Sequence, residues 1–399
     1  MIKRTIVTLP GDGIGKAVLT QAIRVLDAAG FEATYIHGDI GWEFWCKEGN
    51  PLPKRTLDLI ERYKIALFGA ITSKPNDEAK AELIRELQGK GLIYSSPIVG
   101  LRQHFNLDIC VRPCKSYNGN PLNFVRRGKG NTIEEPLVDV VIFRQNTEGL
   151  YSGVEWTNPP PVVHQALMTH PKFRENYGSV PADELSISTR IFTRKATTRI
   201  LMAAFEHARK FGYKSVTVCE KPNVIRETSG LMWRLAKEIQ KSSFPEITLY
   251  NTNIDAQMMW LTKNPEDYGV IVAGNMFGDI ASDAFAGLIG GLGFACSAQF
   301  SSDGIAVFEP THGSAPKYAG YEIPIVNPIA MIESACMMLD YLDEKNKAEE
   351  IRKGVAGIIL EGKVRTYDMM KMSGSPEVIK NGAASTIQMT DAIISRIVK

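Results

Sequence analysis

Short, strongly apolar runs recur along this chain, each cut off by glycine, proline or asparagine and followed by a stretch of helical periodicity. Residues 5–9, 65–68, 138–143 and 270–273 are such runs. At four to six residues they are too short for helices, and their β-branched content suits strands buried on both faces. Between them, Val18, Ala22, Val25, Leu26 and Ala29 fall on one helical face closed by Gly30, and residues 55–63 and 195–209 are also helical, the latter up to Gly212. Strand-like residues at 31–36 and 185–192, and strand–helix pairs at 215–240, 247–263 and 269–292, continue the alternation. The pattern predicts an α/β fold with much parallel sheet. The last hundred residues read as helix-rich: Asn327 caps a helix whose first residue is Pro328, and 346–360 and 384–398 follow. Residues 76–90 are expected to form a short charged helix, and the Pro- and Asn-rich residues 157–183 an arm outside the core.

The 399 residues give ample material for a large core, organised as two lobes. Forty-six basic and 44 acidic residues leave a net charge of +2, so no global field selects nucleic acid or membrane, and an anionic ligand needs a local cluster. Of six cysteines only Cys110 and Cys114 are close, with no CxxC spacing, which argues against a zinc ribbon or redox pair. The apolar stretch at 6–9 is too short for a signal peptide, and no run could span a bilayer. The expectation is a soluble, cytoplasmic protein.

Chemistry concentrates in a few places. In YGVIVAGNMFGDIASDAFAGLIGGL, residues 268–292, a strand runs into a helix starting near Gly278 with Asp279 and Asp283 one turn apart. Such a pair either complements the helix dipole or holds a hard divalent cation between its oxygens. The turn GDGIG, residues 11–15, brings its third glycine one residue too early for a dinucleotide fingerprint and reads as a tight turn. Arg102, Arg112 and Arg144 are candidate carboxylate ligands, the last two placed at strand ends. Tyr151 is either a packing residue or an acid with its pKa lowered by nearby cations, and Lys221 either a solvated lysine or a base. In PTHGSAPKYAG, residues 310–320, small residues allow close approach to a nucleotide, and Lys317 can meet a phosphate.

Taken in order, GDGIG, LRQHFNLDICVRP, FRQNTEGLYSG, CEKPN, NMFGDIASD and THGSAPKYAG resemble the β-decarboxylating dehydrogenases, the isocitrate, isopropylmalate and homoisocitrate enzymes. The resemblance covers the whole chain. It implies a two-lobed, non-Rossmann α/β fold with a clasp-like arm at about 152–193. Residues 1–108 and 292–399 would form a large cofactor-binding domain, and 109–291 a small domain with the substrate and metal site and the dimer interface. It implies a homodimer in which Asp279 and Asp283 hold Mg²⁺ or Mn²⁺ with Asp255 of the partner subunit. Arg102, Arg112, Arg144 and Ser96 would bind a tricarboxylate substrate. Tyr151 would protonate the carbanion left by CO₂ loss, and Lys221 of the partner subunit would assist removal of the hydroxyl proton. Thr72, Asn223, Glu309, His312, Gly313, Lys317, Tyr318, Asn327, Tyr367 and Lys371 would bind the cofactor. Lys317–Tyr318 and Tyr367–Lys371 resemble the pairs that mark NADP⁺ enzymes. Ser96 matches isocitrate enzymes, but Ile98 stands where they carry asparagine, and the 72–96 segment is longer than in the common bacterial ones. Isocitrate is the first expectation, homoisocitrate the second, with isopropylmalate or a non-catalytic regulatory subunit as alternatives.

Overall fold

The computed structural model describes residues 4–397. The expected apolar runs are strands: β1 (Arg4–Gly11), β2 (Ala33–His37), β3 (Ile65–Ala70) and β4 (Ile109–Lys115). A small hairpin, β5 (Arg126–Arg127) with β6 (Ile133–Glu134), precedes β7 (Asp139–Gln145). The arm carries β8 (Glu155–Thr157) paired to β9 (Ser186–Ser188), with two short helices between them. Then come β10 (Ser215–Glu220), β11 (Thr248–Asn253), β12 (Val270–Ala273), β13 (Cys296–Phe300) and β14 (Ala306–Pro310). Ten of them form one sheet in the order β11-β10-β12-β7-β4-β13-β14-β3-β1-β2. Strands from 109–291 fill one half of it, and the remaining strands fill the other.

The sheet is parallel at both ends and antiparallel in the middle, where β4 pairs with β7 and β13, and β13 with β14. That central feature departs from the expected parallel reading. β13 escapes the pattern because CSAQF holds no β-branched residue and is buried by its neighbours instead. The helix expected over 76–90 covers only Asn76–Ala81. Beyond it, the Trp42 Nε1–H donates to Glu82 (2.6 Å), Trp45 Nε1–H to the Ala79 carbonyl (2.7 Å) and Ile84 N–H to the Cys46 carbonyl (3.0 Å). These bonds hold the segment as turns around a small core of Trp45, Ala79, Leu83 and Tyr94. The helix bearing Asp279 and Asp283 spans Asn275–Leu288, one turn earlier than expected, and Pro328 precedes its helix, Ile329–Tyr341, instead of opening it. In the arm, the strand expected over 185–192 narrows to β9.

The GDGIG turn is an internal brace, as its glycine spacing suggests. The Ile14 N–H donates to the Ser314 carbonyl (2.9 Å), and the Asp12 carboxylate accepts from the Trp42 and Thr72 N–H groups at 2.7 and 2.8 Å. Gly13 has φ +55°, and a Cβ there would lie 2.1 Å from the Ser314 carbonyl oxygen. Gly30 has φ +69° but open space around it. Gly13→Ala is therefore expected to cost roughly 3 kcal/mol or more, and Gly30→Ala about 1 kcal/mol, measured by denaturant unfolding. Equal costs would show that contact with the Ser314 loop does not constrain the turn.

Candidate active site

Four polar side chains share one face of the antiparallel centre. Arg144 on β7 and Gln299 on β13 both stand opposite Cys110 of β4; Arg112 lies two residues further along β4. Glu309 follows Val307, the partner of Gln299, by two residues on β14. Arg112 thus projects from within its strand, not from the end. Arg102 comes from the helix Pro97–His104 and donates to Gln299 (2.8 Å) and Glu309 (3.2 Å). Gln299 also donates to Glu309 and accepts from Asn146 at 2.7 Å. Burial raises the Glu309 pKa, opposed by Arg102 and then Arg112.

The helix Asn275–Leu288 supplies the facing carboxylates. Arg112 Nη1 donates to Asp279 (3.1 Å), to the Ser282 hydroxyl (2.7 Å) and to Asp283 (3.3 Å). Arg144 donates to Asp279 through Nη1, and to the Asn275 Oδ1 through Nε (3.0 Å) and Nη2 (2.8 Å). Burial pushes the Arg144 pKa down to about 10, assisted by Arg112 and, more weakly, Arg102. Even so it stays ionised near neutrality, as arginine side chains do in proteins. Burial also works against the Arg112 charge, but the negative groups around it, Asp279, Asp283 and Glu309 included, hold its pKa above the usual value. Asp283 is raised by burial and by Asp279, against the pull of Arg112.

Three guanidinium groups thus meet three carboxylates. Arg102, Arg112, Glu309 and His312 line a cavity of about 160 Å³ together with Ile71 and Ile98. The two aspartates fit a hard divalent ion: they offer oxygen only, one helical turn apart, with Asp283 well exposed. Asp255 does not join them within one protomer. It pairs with Lys221 at 2.5 Å, which holds its carboxyl below the usual value, and no group of three acidic, His or Cys side chains able to hold a metal occurs among the described residues. Tyr151 is half exposed, with the Arg144 guanidinium 5.9 Å from its ring centre. Its pKa is raised, first by burial and then by Asp279, against the pull of Arg144, so of the two alternatives the lowered pKa does not arise.

The residues expected at a cofactor site fall in two groups. Thr72 bonds the Ser314 hydroxyl at 2.6 Å; the His312 ring accompanies the Gly313 carbonyl at 3.0 Å. Burial lowers the His312 pKa, so the neutral ring donates from Nδ1 to that carbonyl, and the buried Nε2 remains an acceptor without a partner. Gly313 is exposed with open space at its Cα. An orphaned acceptor beside bare backbone suits a nicotinamide dinucleotide, which presents hydroxyl and amide donors. At the second group, Lys317 Nζ lies 4.7 Å over the Tyr318 ring, whose centre is 5.6 Å from that of Tyr367, and Lys371 is exposed in the turn after Tyr367. Asn327 is engaged internally, accepting from the Ile329 N–H (3.0 Å) and donating to Asp368 (3.1 Å). Asn223 is exposed in the turn after β10, and Ser96 precedes the Arg102 helix with no capping bond from its hydroxyl.

The family model for isocitrate/isopropylmalate dehydrogenase matches residues 5–393. This chain belongs to the isocitrate/isopropylmalate dehydrogenase family. It is 39% identical over 391 residues to protein DlpA of Legionella pneumophila, covering 98% of this chain but only 58% of that protein's length. It is 38% identical over 356 residues to the homoisocitrate dehydrogenase of Methanocaldococcus jannaschii, covering 89% of this chain and 90% of that one. The crystal structure of isocitrate dehydrogenase from Methylococcus capsulatus superposes with a TM-score of 0.80 at 33% identity, covering 99% and 100%. Members of this family are decarboxylating dehydrogenases that use a divalent metal and a nicotinamide cofactor.

Gln299, Ser282 and Asn275 are site residues that sequence reasoning passed over. For Asn275 the signal was present, since it stands one turn before Asp279. Asn275→Ala removes the acceptor that orients the Arg144 fork while keeping the helix. It is expected to lower kcat/KM by about 10²-fold with a small change in Tm, read by steady-state kinetics and thermal unfolding.

Proposed function

We propose that this protein oxidatively decarboxylates a 2-hydroxy acid bearing a 3-carboxylate, isocitrate first, with NADP⁺ and Mg²⁺ or Mn²⁺. The observation that carries the reading is the place of Arg112, which lines one cavity with Arg102 and bonds both Asp279 and Asp283, while Arg144 pairs with Asp279 beside it. With its carboxylate partners engaged by a divalent ion, the arginine cluster is left to grip substrate carboxylates bidentately. When bound, the metal supplies Lewis-acid stabilisation of charge on the substrate oxygens, and the nicotinamide accepts the hydride. Tyr151, a phenol protonated at neutral pH, delivers its proton to the carbon from which CO₂ departs. Lys221 assists removal of the hydroxyl proton. Because Lys221 and Asp255 pair away from Asp279 and Asp283, we propose that they serve the site of a partner subunit. Exposed Met259 and Trp260, with Ile280 on the adjoining helix, offer an apolar surface for that homodimer. The two halves of the sheet would be its two lobes, 1–108 with 292–399 and 109–291.

Ile98 in the wall of the arginine cavity favours a second reading, a substrate with an apolar 3-substituent such as isopropylmalate. A panel of isocitrate, homoisocitrate, isopropylmalate and tartrate, each with NAD⁺ or NADP⁺ and Mg²⁺ or Mn²⁺, separates the readings. Isocitrate with NADP⁺ is expected to give the highest kcat/KM, lost on chelation of the metal. A higher value for isopropylmalate would establish the second reading. No turnover of any of the four by folded protein would overturn both.

NADP⁺ is inferred from the Lys317–Tyr318 corner, where a cation lies beside two adjoining tyrosine side chains, Tyr318 and Tyr367. Changing Lys317 to Asp and Tyr318 to Ile replaces attraction by repulsion. The ratio of kcat/KM for NADP⁺ to that for NAD⁺ should fall by roughly 10²-fold or more. A parent enzyme that already prefers NAD⁺ would refute the assignment.

A further inference from the structure

We propose that Glu220 and Arg190 are positioning residues which lock the base of the arm to the helix carrying Asp279 and Asp283. This inference rests on the metal assignment of that helix given above. Glu220 closes β10, one residue before Lys221, and is completely buried. A carboxylate in such a place must be fully paired or it is not tolerated. Its Oε1 accepts from the Gly274 N–H at 2.8 Å, the residue that opens the Asn275–Leu288 helix, where the dipole favours negative charge. Its Oε2 accepts from Arg190 Nη2 (2.7 Å) and from the Ser229 hydroxyl (2.5 Å).

Arg190 arrives from the arm, two residues beyond β9. Its other nitrogen, Nη1, donates to Thr228 (2.8 Å) and Ser229 (2.9 Å), and its guanidinium lies between the rings of Phe192 (4.5 Å) and Phe277 (5.1 Å). Phe277 belongs to the aspartate-bearing helix. Gly274 has no room for a side chain, since a Cβ would lie 2.6 Å from both Glu220 Oε1 and Phe192 Cζ. The next arm residue, Ile191, exchanges backbone bonds with Gly149, two residues before Tyr151. One buried ion pair therefore ties together the arm, the Tyr151 turn, the strand end bearing Lys221 and the first turn of the aspartate helix. Loosening it frees that first turn, and the two carboxylates lose their fixed orientation.

The test compares the parent with Arg190→Lys, Glu220→Gln and Asp283→Asn in the full-length protein without substrate. Arg190→Lys keeps the charge but loses the fork that reaches Glu220, Thr228 and Ser229 together. Mn²⁺ affinity is read by electron paramagnetic resonance of the free ion, and backbone motion by hydrogen exchange over residues 274–283. Arg190→Lys is expected to weaken Mn²⁺ binding roughly tenfold, as loss of a group supporting metal ligands does, and to speed exchange at the helix start. Should Glu220→Gln fail to fold, Arg190→Lys carries the test alone. A lower Tm with unchanged Mn²⁺ affinity and unchanged exchange would overturn the positioning role while leaving the functional proposal standing. If Asp283→Asn binds Mn²⁺ like the parent, the metal assignment falls, and with it the part of the inference that concerns metal.

Discussion

The Arg112 guanidinium, held between Asp279 and Asp283, is the contact on which the site's arrangement depends. It sits within a central strand, nearly inaccessible, and one nitrogen serves both carboxylates and Ser282. A charge buried this deeply is tolerated only with partners, so the strand and the aspartate helix must meet in one register. Arg144 repeats the constraint one strand away, pinned by Asn275 and Asp279. Around the cleft three guanidiniums stand against three carboxylates, Asp279, Asp283 and Glu309. If the proposed divalent cation and multiply anionic substrate enter together, the net buried charge changes little. Either one alone would leave a buried excess, which would make their binding mutually favourable.

The fold supplies this meeting point by reversing strand direction in the middle of the sheet. Two parallel blocks, each built from strand–helix units, join through β4 and β13. Arginines from β4 and β7 thereby meet the glutamine of β13 and the glutamate of β14, strands adjacent to them in space but more than 150 residues away in sequence. The Asp12 carboxylate does comparable work on the other side. It fixes Thr72 and Trp42 by their N–H groups, and Thr72 in turn touches Ser314 beside His312. The glycine turn therefore shapes the loop proposed for the cofactor by packing against it.

Much of this was legible in the sequence because it is local. Runs such as VIVA carry their own strand signal, and Asp279 and Asp283 declare a common face by their spacing. Arg102, Arg112 and Arg144 were singled out by residue type and by position near apolar runs. What was not legible depends on partners far away in the chain. β13 has no intrinsic preference and is a strand only because β4 and β14 flank it. Glu309 gives no hint of its pairing with Arg102, nor Glu220 of its pairing with Arg190. The choice between the two readings of Tyr151 likewise depends on the fold, since its burial and the approach of Asp279 set the direction of its pKa.

The 73–95 segment shows how far local reasoning misleads when an anchor lies elsewhere. Its charged composition predicts a helix, yet two tryptophans from Trp42–Glu48 capture its backbone and its Glu82. Tyr94 closes the loop by donating from its hydroxyl to the Thr72 carbonyl (2.7 Å), with its ring edge-on to both Trp42 and Trp45. The closure sets Thr72 and Ser96, the two ends of the insertion, at a fixed separation. A closed loop with its own small core can lengthen without disturbing those ends, because the entropic cost of extra residues grows only slowly with loop length. Its length therefore carries little information about the substrate; Ile98, which lines the arginine cavity, carries more.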